Sequence, residues 1–225
     1  MEDITTKNDI ITGLEQQYIK KGPFLNSETK KQEIWLHNLP ENEELFNIIE
    51  LLREEYDSED FIFIINQKIE IKEITIAKNI NFFNFIFKYE VCFEDDIYLQ
   101  FPSIHFYKTI FNGNINFFYS KLYQANFENV DLQGNTYNIF AYCSLEKVKF
   151  HNVIFRGNIQ FDHSEMKDVS FKNCTFKGKT DFRDVSFKGK SEFLNCTFDS
   201  SENNTIKKVN FSGCTFEQEA NFSGS

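Results

Sequence analysis

Between Phe171 and Phe198 a phenylalanine returns every five or six residues, at Phe171, Phe176, Phe182, Phe187, Phe193 and Phe198. A half-buried strand repeats every second residue and a helix every 3.6, so neither explains the interval. Phenylalanine supplies 28 of the 225 residues, which argues against coincidence. A large ring at this spacing calls for short extended sides joined by tight corners, each side sending one ring inward.

Taking the large apolar residue as the centre of a unit, centres fall at Phe101, Phe106, Phe111, Phe117, Leu122, Phe127, Leu132, Phe140, Leu145, Phe150, Phe155, Phe161, Met166 and on through Phe198. They resume at Ile206, Phe211, Phe216 and Phe222, and weaker units at Phe82, Phe87 and Phe93 precede them. Two residues before most centres stands a smaller residue, such as Ala125, Val130, Cys143, Val169, Cys174, Val185 or Cys196. The residue just before the centre is often Asn, Asp, Thr or Ser. ANFEN at 125–129 and VDLQG at 130–134 show the unit, as do VSFKN, CTFKG, CTFDS, VNFSG and CTFEQ.

This pattern resembles the pentapeptide-repeat family over roughly residues 80–225. The resemblance implies an all-β solenoid, a right-handed quadrilateral β-helix with four units per coil, its central and small residues inward and the rest facing solvent. Two inward residues in five leave room for one large ring per side, and strand spacing of about 4.8 Å between coils gives a rod on the order of 30 Å long.

Counting four centres per coil predicts the ladders. Leu122, Leu145, Met166 and Phe187 share one face; Phe127, Phe150, Phe171 and Phe193 the second; Leu132, Phe155, Phe176 and Phe198 the third; Phe140, Phe161 and Phe182 the fourth. Most six-residue steps leave the third face, each with a glycine two residues past the centre. Gly113, Gly134, Gly157 and Gly178 are therefore expected to line one edge, where an extra residue asks for a bulge or a positive φ. Gly189 falls one corner round. Replacing Phe176 with Ala is expected to cost about 3–5 kcal/mol.

Residues 1–70 read differently, as an acidic, partly helical region expected to cap the β-helix of residues 71–225. Ile10, Ile11, Leu14 and Tyr18 lie at helical spacing, and so do Leu45, Ile48, Ile49 and Leu52 after Pro40. Lys20 to Pro23 reads as a break between helical segments. The region carries 7 basic and 16 acidic residues, a net −9 of the chain's −10, so the repeats are close to neutral.

No apolar run approaches the roughly 18 residues of a membrane span. The acidic N-terminus lacks a secretory core, and five cysteines without metal spacing fit a reducing cytoplasm. Heavy use of Asn, Lys, Ile and Phe is consistent with an AT-rich bacterial genome. Phosphate loops, dinucleotide-binding glycines and nucleophile elbows are absent from the sequence. His151 and His163 take solvent-facing positions, and Cys143, Cys174, Cys196 and Cys214 take the small inward one, where Cys acts as a small hydrophobe. Asp162, Glu165 and Asp168 form a small acidic patch and Lys177, Lys179, Lys188 and Lys190 a basic one, both read as solvated surface.

No catalytic, cofactor-binding or metal residues are assigned, and the expectation is a non-enzymatic protein–protein interaction or scaffold rod without direct nucleic-acid binding. Some members of the family it resembles are dimeric, DNA-like acidic rods that bind DNA gyrase or topoisomerase IV. The near-neutral repeats and the absence of a C-terminal cap argue against that alternative. The chain stops at ANFSGS, inside a unit. Two readings follow: a cytoplasmic fragment of a larger, membrane-attached protein, or a homodimer pairing through the last coil.

Overall fold

The computed structural model describes residues 7–25, 31–40, 42–56, 60–65, 67, 69–77, 79–82, 85–87, 90–92, 98–100, 104–134, 136–199 and 209–225. The expected centres Phe93, Phe101 and Ile206 lie outside the described residues.

Helix α1 spans Lys7–Tyr18 and α2 Asn42–Glu55. The chain does not simply break at Lys20 to Pro23. It continues as strand β1 (Ile19–Leu25), antiparallel to β2 (Gln32–Leu36), with register shifts before Lys21 and Phe24. β1 is an edge strand, where Pro23 forfeits no ladder hydrogen bond that a central strand would need. Strands β3 (Phe61–Ile65) and β4 (Ile69–Lys72) then enter the solenoid sheets directly.

From β3 onward the chain winds four-sided, and each side pairs in parallel with its counterpart one coil away. The first face forms a nine-stranded sheet that ends in β3, β2 and β1; the second has seven strands, the third and fourth six each. A separate antiparallel hairpin pairs Glu90–Cys92 with Tyr98–Gln100. The sides are short because the chain turns every five or six residues, and parallel pairing follows from winding always in one sense. This is a four-sided parallel β-helix, with no closed barrel.

Register places the centres above one another. On the first face Leu122 pairs with Leu145, Leu145 with Met166, and Met166 with Phe187. On the second Phe127, Phe150, Phe171 and Phe193 follow in turn, and on the third Leu132, Phe155, Phe176 and Phe198. Phe127, Phe150, Phe171 and Phe193 stack at centroid separations of 4.8, 4.7 and 4.9 Å. Phe155, Phe176 and Phe198 stack at 4.7 and 4.8 Å, and Phe140, Phe161 and Phe182 at 5.3 and 4.8 Å. Across the axis, second-face rings meet fourth-face rings edge to face, as in Phe161–Phe171 at 5.6 Å and 84°. Strand spacing thus sets parallel stacking within a column, while opposed columns take the edge-on geometry that ring quadrupoles also favour.

α2 lies across the first coil. Its stripe of Leu45, Phe46, Ile48, Ile49 and Leu52 is buried in the same core as the ladders, with Phe46 edge-on to Phe82 at 6.2 Å. The outward face carries Glu44, Asn47, Glu50 and Glu54, all exposed. The segregation matches the helical spacing of the apolar residues.

Candidate interaction surface

A β-helix surface is made of its corners and the residues flanking each centre. The corners come in two kinds. At five-residue steps the residue two past the centre is left-handed: Asn129, Asn152, Asn173 and Asn195 after the second face, Gln124, Lys147 and Asp168 after the first, Tyr119, Tyr142, His163 and Asp184 after the fourth, with φ between 51 and 56°. Longer steps, six residues at Gly178 and Gly189 and eight at Gly134, do without this. Gly134, Gly178 and Gly189 are not left-handed, and the positive φ expected at the glycine edge is found instead at non-glycine corners; among the described glycines only Gly213 and Gly224 show it. The extra residue supplies enough chain to turn, and what it demands is closeness. A Cβ at Gly178 would overlap the Gly157 carbonyl oxygen, and one at Gly134 would come within 2.8 Å of the Gly113 oxygen. Gly113 with Gly134, and Gly157 with Gly178, are thus stacked along the edge. Gly189 lies over Asp168.

Successive coils are tied through side chains that sequence reading did not single out. Asn152 donates to Asn129 at 2.9 Å, Asn173 to Asn152 at 3.0 Å and Asn195 to Asn173 at 3.4 Å. This amide ladder follows from Asn recurring two residues past each second-face centre, a signal visible once the register is known. Asn also tolerates the left-handed φ better than most residues.

Opposite charges pair one coil apart: Arg156 with Asp131 at 2.8 Å, Lys167 with Glu146 at 3.2 Å and Lys188 with Glu165 at 2.6 Å. Lys190 contacts Glu192 at 2.8 Å and Lys179 lies 3.8 Å from Asp181. The acidic and basic patches of the sequence therefore meet in part. Glu165 raises the Lys188 ammonium above its ordinary value, chiefly by accepting its hydrogen bond.

The histidines are scattered. His105 Nε2 approaches Glu128 at 3.5 Å, and His151 Nε2 lies 3.5 Å from Ser170 Oγ. Burial, then Lys149 and Lys172, pull the His151 imidazole below its usual value. The His163 ring lies 4.8 Å from that of Tyr142, tilted by 31°, with Asp184 3.7 Å and Asp162 4.0 Å from its nitrogens. Among the described residues no three His, Cys, Asp or Glu side chains are placed to hold a metal ion.

Cys143, Cys174, Cys196 and Cys214 are free thiols, three of them buried. Each donates to a central-residue carbonyl of the preceding coil: Cys143 to Phe117 at 2.8 Å, Cys174 to Phe150 at 3.1 Å, Cys196 to Phe171 at 3.4 Å and Cys214 to Phe182 at 2.8 Å. Ser164 and Ser225 do the same toward Phe140 and Phe193, both at 2.7 Å. The small inward position is thus more than a hydrophobic filler, and its mixture of Cys with Ser was the available hint. Burial pushes the Cys143 thiol up to about 12 and raises Cys174 as well.

Large apolar side chains are exposed in two main places. Tyr119, Tyr137 and Tyr142 lie on the fourth face and its edges, and Phe216 and Phe222 on the last coil. Phe118, half-buried, adjoins the first group, 4.5 Å from Tyr119 and 5.4 Å from Tyr142. Tyr119 and Tyr142 are 5.2 Å apart. Beside them a groove of about 500 Å³ runs along the corner, lined by Ile62, Ser144, Lys31, Lys121 and the aromatic edge.

A family model for pentapeptide repeats, in nine copies, matches residues 161–201, where the ladders and both kinds of corner are developed. No curated protein and no solved structure matches the chain.

Proposed function

Because this chain carries a run of pentapeptide repeats, we propose that it is a non-enzymatic binding module, a rigid rod whose outward residues contact another protein. The observation that carries the reading is the in-register surface. Residues flanking each centre repeat at one strand spacing and make flat ribbons along the rod, held by ring columns and cross-coil pairs. Catalytic pockets are concave, whereas solenoids offer extended surfaces to partners. α2 and the segment around it are read as the cap that shields the first coil. The free thiols support placing the protein in a reducing cytoplasm, and no helix among the described residues is long and apolar enough to cross a membrane. Interleaved Lys–Glu pairs weigh against an acidic DNA-like rod.

The test is a photo-crosslinking amino acid at Lys147, Arg156, Lys172 or Arg183, one per face or corner, in cells that express the protein. A protein adduct of constant mass from at least one position is expected. No adduct from any position overturns the reading.

A second reading is favoured by the last coil, where Phe216 and Phe222 keep 40% and 41% of their surface exposed. A second copy stacked there would cover these rings. Light scattering should then give a dimer that Phe222→Asp dissociates; a monomer at every concentration refutes it.

A further inference from the structure

We propose that the aromatic strip where the fourth face meets the first, built by Phe118, Tyr119, Tyr142 and His163, is where the partner docks. Its occupant is a short segment carrying an arginine or lysine beside an apolar anchor. The inference rests on the binding-rod reading and adds the site and the chemistry.

The strip is unusual in three independent ways. The first is charge. Described outward residues of the fourth face from Asn79 to Tyr142 include Asn81, Asn114, Asn116, Tyr137 and Ile139, and none is charged. The other three faces carry ionised side chains through the same stretch of rod, on a molecule of net charge −10. Interface cores are depleted in charge and enriched in Tyr and Phe for the same reason: rings bury area at little entropic cost and need no ionic desolvation.

The second is backbone. Tyr119, Tyr142 and His163 have φ of 56, 54 and 56°. Left-handed backbone is uncommon for a bulky residue, and the diagonally opposite corner, after the second face, meets the same demand with Asn129, Asn152 and Asn173. The tyrosines therefore stand where folding alone favours a different residue.

The third is the boundary of the strip. Past Tyr142 charge returns to the face: Asp162 and Asp184 stand on either side of His163, and the nearby Arg183 is paired with Asp181. Asp162 is 8% exposed, and its Oδ1 has no hydrogen-bond partner. A guanidinium laid over these rings gains the aromatic surface and, at its end, two carboxylates. The apolar neighbour of that cation fits the adjoining groove of about 500 Å³. The strip spans three coils, two strand spacings of about 4.8 Å, and covers on the order of a few hundred Å² at most. A globular pair needs about 800 Å² per partner, so a segment fits and a second copy does not.

The decisive variant is Tyr119→Asn with Tyr142→Asn, because Asn suits the left-handed corner and removes only what projects from it. Random peptides displayed on phage are selected on the immobilised full chain, and enriched sequences are synthesised and titrated by fluorescence anisotropy. Enriched peptides are expected to pair Arg or Lys with an apolar residue. The double variant is expected to weaken them at least about 30-fold while its melting temperature stays within about 4 °C of the parent. A melting temperature lowered by more than about 10 °C would make the tyrosines structural and overturn the proposal. So would acidic enriched peptides, or no enrichment at all. Peptides that bind both proteins equally would move the site elsewhere, and the binding-rod reading would stand without this one.

Discussion

Phe171→Ala tests the ladder at its centre. Phe171 is fully buried; it stacks on Phe150 at 4.7 Å and 3° and on Phe193 at 4.9 Å and 7°, and meets Phe161 and Phe182 edge-on at 5.6 and 5.9 Å. Removing a buried Phe ring costs about 3–5 kcal/mol, more where the site cannot collapse. Here it cannot: the flanking rings belong to strands held in register with its own, and closing the gap would break those ladders. The upper end, about 5 kcal/mol, is therefore expected, a fall of about 10–20 °C for a chain of this size. Phe222→Ala is the control. That ring is 41% exposed, and about 1–2 kcal/mol is expected from its smaller burial. Urea unfolding followed by far-ultraviolet circular dichroism reads both. A coil contacts only its neighbours, so the central variant should also lower the slope of the transition or split it. Equal losses for the two variants, or a loss at Phe171 below about 1.5 kcal/mol, would refute the reasoning from burial and pinned neighbours.

Gly178→Ala is expected to destabilise by about 3 kcal/mol, since the atom the new Cβ meets is the backbone oxygen of Gly157, which has no rotamer to yield; a melting temperature equal to the parent's would show that the edge is looser than it stands here. His151 is held below its ordinary value by burial first and by Lys149 and Lys172 next. The unfolded chain then binds the proton more readily, so stability is kept above about pH 6.5 and declines as pH falls below it. His151→Gln should flatten that part of a melting-temperature profile, and an unchanged profile would reject the assignment. Cys143, with its thiol near 12 and bonded to the Phe117 carbonyl, should resist iodoacetamide at pH 8 in the native state and label once unfolded, as read by peptide mass spectrometry.

The ladders could be read from the sequence because one physical demand, a large ring inward once per side, acts at every unit and leaves its interval behind. The α2 stripe was readable for the same reason. What escaped lies where residues far apart in sequence meet. Lys188 and Glu165, or Arg156 and Asp131, carry no local sign of pairing until coil length is known, and coil length varies with each inserted residue. β1 escaped because Gly22 and Pro23 punctuate it; an edge position tolerates both, and nothing local announces an edge. The aromatic strip was in view as single tyrosines between centres, but only the corner geometry sets Tyr119, Tyr142 and His163 in one column.

The first-face corner shows that step length, more than residue identity, chooses the backbone. After Leu122, Leu145 and Met166 the chain takes five residues to the next centre, and Gln124, Lys147 and Asp168 are all left-handed despite their different side chains. After Phe187, on the same face, it takes six, and Gly189 at the equivalent place is not. Neighbouring structure is shared, so the added residue makes the difference: a tight turn needs one left-handed residue, and a longer one turns without it but must pass close to the coil below. A five-residue corner therefore imposes φ on whatever occupies it. The occupant is then free to vary at the expense of strain, which Asn keeps low and an aromatic ring does not. Where Asn fills the corner after the second face coil after coil, and Tyr119 and Tyr142 stand at the corner after the fourth, the turn makes the same demand of both. What differs is what each side chain presents outward, an amide that bonds the adjacent coil or an exposed ring.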